Sequence, residues 1–311
     1  MSDDGIEIWR GGVNTWECDE MGHMNVRFYV AKAAEGLVGM AAALGLPQAF
    51  TVHAESTLLV REQHIRFLRE AHAGAALHMT GGVVEMGEDE ARLVQLLWHS
   101  ETGVLAATFQ TVIAHVTPRD GRAFPWSHRT RALAADLALA VPEPAAARSV
   151  SLAPVESMAS LARADELGLV RIAQGAVAPQ DCDIFGRMLP ELFIGRVSDG
   201  IARLVRGFRE TVTSDAEEKP RRVGGAVLEY RLIHLDWPRA GQRLEIRSGL
   251  KTADARTKTM VHWMVDPDTG KPWGTSEAVA ITFDLDARKI VPISEAAREQ
   301  LMRQATPGLT L

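Results

Sequence analysis

From Ile6 to Trp16 the chain is rich in β-forming residues, interrupted by the pair Gly11-Gly12. This predicts a strand with a bend or bulge at the glycines. The next stretch, Asp19–Asn25, is polar and holds Gly22, which predicts a loop. From Val26 to Leu44 there is no proline, alanine recurs, and only Arg27, Lys32 and Glu35 are charged. A helix apolar nearly all round is buried on most of its sides. Gly45 and Pro47 end it. Strand-like runs follow at Ser56–Leu68, Ala75–Val84, Ala91–Ser100 and Val104–Val116, with a hairpin signal at Glu101–Gly103. The order strand, buried helix, antiparallel strands predicts an α+β unit in which a sheet curls about the helix.

The pattern occurs twice. Val177–Ile194 is a weaker copy of the stretch Val13–Tyr29, with Val13/Val177, Cys18/Cys182, Asp19/Asp183, Gly22/Gly186 and Met24/Met188 identical. Leu189–Phe208 repeats the helix, with Pro190 near its first turn, and Thr211–Pro220 reads as a polar loop. Strands at Val223–Asp236, Gln242–Lys251, Thr257–Val265 and Thr275–Leu285 repeat the sheet, with Glu62/Glu229, Gly74/Gly241 and Gly103/Gly270 coincident. The helix pairs and the strand pairs differ in offset by three residues, which fits an insertion after the second helix. Between the halves, Thr117–Gly168 has linker composition with a helical run near His128–Leu139, and reads equally as a tether or a packed brace. A short helix is expected at Ser294–Gln304. The expected organisation is a first domain at 1–117, a linker at 118–167 and a second domain at 168–311.

Composition narrows the function classes. With 311 residues, 46% hydrophobic and 24% charged, each half is large enough to bury a core. A net charge of -6 argues against nucleic-acid binding. No long apolar run predicts a membrane span, the N-terminus does not read as a secretory leader, and the two cysteines sit at equivalent repeat positions. A reduced, cytoplasmic setting is the expectation. There is no C-x-x-C, no P-loop and no G-x-G-x-x-G. The histidines outside the first loop show no metal spacing, so no metal is expected.

The motif D-E-M-G-H-M-N-V-R-F-Y (Asp19–Tyr29) and the segment E-Q-H-I-R-F-L-R-E (Glu62–Glu70) resemble acyl-CoA thioesterases of the 4-hydroxybenzoyl-CoA thioesterase type. The resemblance spans nearly the whole chain, once per half. It implies two tandem hotdog domains, each a curved antiparallel sheet wrapped around a long helix. It further implies an acyl-CoA substrate with coenzyme A as part of it, no separate cofactor, and pairing of two chains into a homodimer of double hotdogs. Double-hotdog enzymes acting on acyl-carrier protein generally keep the active motif in the second half, whereas here the fuller motif is in the first.

Thioester hydrolysis needs a base or nucleophile, a donor for the oxyanion and a dry acyl slot. The resemblance places the catalytic carboxylate at Asp19 and an oxyanion-binding amide at Val26, the first turn of the helix, where N–H groups are free. His23 and Asn25 lie between them and could orient water or the carbonyl. Each has a structural alternative: a loop brace for Asp19 and His23, and a helix cap for Asn25. In the second copy Asp183 is kept, but Arg187, Leu189 and Pro190 replace His23, Asn25 and Val26. Proline has no N–H, so this copy is expected to be inactive or altered. Arg187 could bind an acidic ligand group or pair with Asp183. Glu62, His64 and Arg66 are candidates for substrate binding on the family-like strand. Arg61, Arg66, Arg69, Arg221, Arg222 and Arg231 are candidates for coenzyme A phosphates. A hydratase or dehydratase on acyl thioesters, and a non-catalytic acyl-CoA-binding protein, are the competing functions.

Overall fold

Strand β1 (Ile6–Gly12) pairs antiparallel with β3 (Ala76–Met86), and its one irregularity lies at Ile8, not at the glycines. Gly11 and Gly12 pair regularly with Leu77 and Ala76. The bend expected at Gly11-Gly12 is therefore displaced. Gly11 is small for another reason: a Cβ there would meet the Trp9 ring at 2.6 Å. The computed structural model describes residues 4–213 and 222–311. They form two compact units, Met1–Ala147 with Ala178–Ile194, and Arg148–Val177 with Gly195–Leu311. The units are interleaved along the chain, and the repeated motif loop belongs to the first.

In the first unit, β2 (Thr57–Phe67), β4 (Glu90–His99) and β5 (Val104–Val116) complete an antiparallel sheet in the order β1-β3-β4-β5-β2. Helix α1 (Val26–Ala43) packs on β1 and β3 through Tyr29, Val30, Ala33, Gly36, Leu37, Met40 and Ala41. Its buried cation, Lys32, is held by the Glu17 carboxylate at 2.9 Å and lies 5.3 Å from the centre of the Trp9 ring. Without those partners, burying an ammonium would cost several kcal/mol. The helix ends in a Schellman arrangement, with Leu46 N–H on Ala41 O, Gly45 N–H on Ala42 O, and Gly45 at φ +78°. Beneath α1 a buried polar row crosses the sheet: Gln63 Nε2 donates to Thr111 Oγ1, Thr111 to Gln95 Oε1, and Gln95 to the helix carbonyl of Ala33. Helix α2 (His128–Asp136) is shorter than the run to Leu139 suggested. Leu137 and Leu139 instead bond the backbone of Val83 on β3.

The second unit repeats the sheet as β6-β8-β9-β10-β7, with β6 (Val170–Ala176), β7 (Val223–His234), β8 (Arg243–Ala253), β9 (Thr257–Val265) and β10 (Pro272–Asp284). The two-residue β11 (Lys289–Ile290) adds to β10, and a one-and-a-half-turn helix, α3 (Leu161–Glu166), precedes β6. The irregularities repeat too: Ile172 bulges from β6 as Ile8 does from β1, and Leu228 from β7 as Arg61 does from β2. The expected single helix Leu189–Phe208 is two helices, α4 (Glu191–Gly200) and α5 (Ala202–Thr213). Pro190 lies just outside the first of them. The break follows Gly200, where a Cβ would stand 2.4 Å from the Ile172 carbonyl oxygen. Thr211–Thr213, expected as loop, extend α5, and the rest of the expected loop, with Arg221, lies outside the described residues. Phe208 of α5 and Leu301 of α6 (Glu295–Gln304) join Leu250, Met260 and Ala280 in the core of this unit.

Segment 118–167 is packed in each unit rather than loose. Arg66 donates to the carbonyls of Glu143 and Ala146, and Gln110 to that of Ala145. In the second unit the buried Glu229 accepts from Arg148 N–H and Ser149 N–H at 2.8 and 2.7 Å. Arg231 donates to Ser151 O and Ala153 O at 2.6 and 2.9 Å.

Candidate active site

The loop that opens α1 is built on one carboxylate oxygen. Asp19 Oδ1 accepts from Met21 N–H at 2.9 Å and from His23 N–H at 3.2 Å, while Asp19 N–H donates to His23 O at 2.8 Å. Gly22 sits at φ +80° at the turn, a conformation that L side chains avoid. Cys18 and Met24 form a β-bridge across the loop mouth, and Met24 N–H bonds Ala71 O. Asp19 Oδ2 takes no hydrogen bond among the described residues, so one lone-pair-bearing oxygen stays available at a half-buried position.

Asn25 is the N-cap of α1, its side chain accepting from Arg27 N–H at 3.0 Å. Phe28 N–H goes to Asn25 O. Val26, at the first helical position, keeps an N–H with no partner among the described residues. Asp19, His23, Asn25 and Val26 thus belong to one loop and helix start, with a carboxylate oxygen and a helix-terminal amide both uncommitted.

The second loop has the same backbone. Asp183 Oδ1 accepts from Phe185 N–H and Arg187 N–H at 2.8 and 2.9 Å, and Gly186 sits at φ +78°. The loop-bracing role of the carboxylate is therefore common to both copies. The Arg187 backbone N–H is what reaches the Asp183 carboxylate. The buried Arg187 guanidinium donates to the carbonyls of Thr117 and Pro118. At the position of Val26 stands Pro190, without an N–H.

Glu62, His64 and Arg66 are not part of the loop. Gln63 faces α1 through the Thr111–Gln95 row, so alternation puts its neighbours Glu62 and His64, and Arg66 with them, on the other side of β2. His64 is 0% exposed, and Arg66 is an anchor for Glu143 and Ala146. Arg231, 2% exposed, is likewise an anchor for the linker. Arg222 pairs with Asp286 at 3.1 Å and Arg61 approaches Glu90 at 4.0 Å. Arg69, beside the loop, is exposed.

Tyr29, Glu70 and His72, given no role by the sequence expectations, meet this loop. Tyr29 of α1 accepts from Ala71 N–H and donates to Arg69 O, and burial pushes its phenol far above the ordinary range. Glu70 and His72 lie against His23: His23 Nε2 is 3.4 Å from Glu70 Oε2, and the His23 and His72 rings meet edge to face at 4.9 Å. In sequence Glu70 ends the family-like segment and His72 follows it, as E-A-H, an i, i+2 pair on one side of an extended segment. Glu191, the first residue of α4, is buried, and that burial raises its carboxyl above the usual range, with the charge of Arg27 opposing the shift.

Comparison with known proteins bears on this geometry. The family model of the thioesterase-like superfamily matches residues 13–136 and again residues 177–301. No curated protein sequence matches the chain. Among solved structures, a proposed oleoyl thioesterase of Lactobacillus plantarum is similar with a TM-score of 0.65 at 10% identity, over 89% of this chain and 96% of that one. The 12:0-ACP thioesterase of Umbellularia californica is similar with a TM-score of 0.64 at 9% identity, over 88% of this chain and 93% of that one. An acyl-ACP thioesterase of Bacteroides thetaiotaomicron gives 0.59 at 11% identity, over 88% and 96%. At such identities the likeness establishes the tandem hotdog fold.

Proposed function

Because the chain belongs to the thioesterase-like superfamily, whose general chemistry is hydrolysis of acyl thioesters, we propose that the first loop is its working site and that an acyl-CoA is its substrate. Asp19 acts as the general base. Oδ1 holds the loop through two backbone N–H groups, and Oδ2 takes a proton from water as that water attacks the thioester carbonyl. The Val26 N–H, at the positive end of α1, donates to the oxygen as it gains charge. When the tetrahedral intermediate collapses, the C–S bond breaks and the thiolate leaves, recovering the proton from Asp19. The products are a carboxylic acid and free thiol. Asn25 sets the helix start by capping Arg27 N–H, which leaves the amide of Val26 for substrate.

The observation that carries this reading is the contrast between two loops of one backbone. Both have the carboxylate and its brace, but only the first is followed by a residue with an N–H. The second loop, with Pro190 and with Arg187 bound to linker carbonyls, is a structural copy.

The test is thiol release from short, long and aromatic acyl-CoAs by the wild type, Asp19→Asn and Asp183→Asn. Asparagine preserves the Oδ1 acceptor and removes the base. Asp19→Asn should lower kcat by about 10²- to 10⁴-fold with little change in Tm, and Asp183→Asn should retain wild-type turnover. Equal loss in both variants would mean that the aspartates act only through the fold.

A further inference from the structure

We propose that His23, Glu70 and His72 form a binding site for one divalent transition-metal ion of the zinc class, beside the loop that carries Asp19. Their ligand atoms all lie within 4.8 Å of one another. Two bonds of about 2.1 Å at the tetrahedral angle span roughly 3.4 Å, and His23 Nε2 stands 3.4 Å from Glu70 Oε2. Imidazole and carboxylate donors in a two-to-one set suit such an ion and leave one tetrahedral position open.

The surroundings orient the donors. His72 Nδ1 is 3.0 Å from the Gly22 carbonyl oxygen. A carbonyl only accepts, so Nδ1 carries the proton and Nε2 keeps its lone pair for a metal. Such an outer contact fixes tautomer and ring direction in metal sites. The site bridges two separate pieces of backbone: His23 and His72 sit opposite each other in a β-bridge, and Met24 N–H bonds Ala71 O next to it. A bound ion would tie the Asp19 loop to the end of the family-like strand.

Among the described residues the site occurs once. At the equivalent positions of the second half stand Arg187, Trp237 and Arg239, none of which can ligate such an ion. One equivalent, not two, is therefore expected, and the site marks the half that keeps the full loop motif.

The experiment titrates chelator-treated, full-length protein with ZnCl₂ by calorimetry, alongside His72→Ala, Glu70→Gln and the control His78→Ala, and follows Tm with and without ZnCl₂. His72 and Glu70 reach the surface, and far-UV circular dichroism checks that the variants fold. The expected result is one equivalent bound by the wild type and the control, at least tenfold weaker binding in both site variants, and a rise in Tm with ZnCl₂ confined to the proteins that bind. Absence of a one-to-one site in the wild type, or wild-type affinity in either folded site variant, would overturn the assignment. Binding is read without turnover, so the outcome is independent of the thioesterase reading.

Discussion

The two oxygens of a single carboxylate stand in different surroundings. Asp19 spends one oxygen on holding a loop and leaves the other without a hydrogen bond among the described residues, while Asp183 braces the same loop ahead of a proline. Asn25 was legible as a cap from its place before the helix, whereas His23 gained its meaning only from Glu70 and His72. Glu191 is a residue whose charge the fold opposes: burial raises its carboxyl above the reference value of 4.5. A group that binds its proton more tightly folded than unfolded lowers stability as pH rises from the unfolded value through the folded one. Glu191→Gln removes that ionisation. The variant is expected to be more stable than the wild type at pH 7 and equal to it at pH 4, as read from urea midpoints at the two pH values.

At the scale of elements, the helices are set by where a strand bulge aims its carbonyl. Ile8 and Ile172 bulge at equivalent places, and each carbonyl lies against a helix glycine: Gly39 on α1 and Gly200 at the end of α4. The glycines are not equivalent in the repeat. The second contact falls about one turn earlier on its helix, and there the helix breaks. An added Cβ would stand 2.2 Å from Ile8 O at Gly39 and 2.4 Å from Ile172 O at Gly200. Alanine gains about 1 kcal/mol of helix propensity over glycine, but overlap with fixed backbone costs about 1–3 kcal/mol or more. Gly39→Ala and Gly200→Ala are each expected to lower stability by about 1–2 kcal/mol net of that gain, measured by urea denaturation. A stabilised variant would show that the bulge can retreat.

For the whole molecule, the linker is part of the folded structure. Glu229 accepts two of its backbone N–H groups and Arg231 binds two of its carbonyls, all from buried positions in the second unit. Glu229→Gln would place an NH₂ where an acceptor is needed. A loss of about 2 kcal/mol is expected from weakening hydrogen bonds to a charged group, together with faster limited proteolysis within residues 148–153. Unchanged cleavage would count against the strap. The sequence by itself determined the duplication, the strand–helix–strand order and the thioester-hydrolase family, because these rest on local periodicity and on motifs that occupy a few consecutive residues. It also pointed to Asp19, Asn25 and Val26, which follow one another around a helix start. Only the tertiary structure decided that Arg66 and Arg231 hold the linker, that the second helix breaks at Gly200, and that Glu70 and His72 come to His23. Each of those depends on contacts between residues far apart in the chain, and no spacing along the sequence encodes which of them the fold will bring within reach.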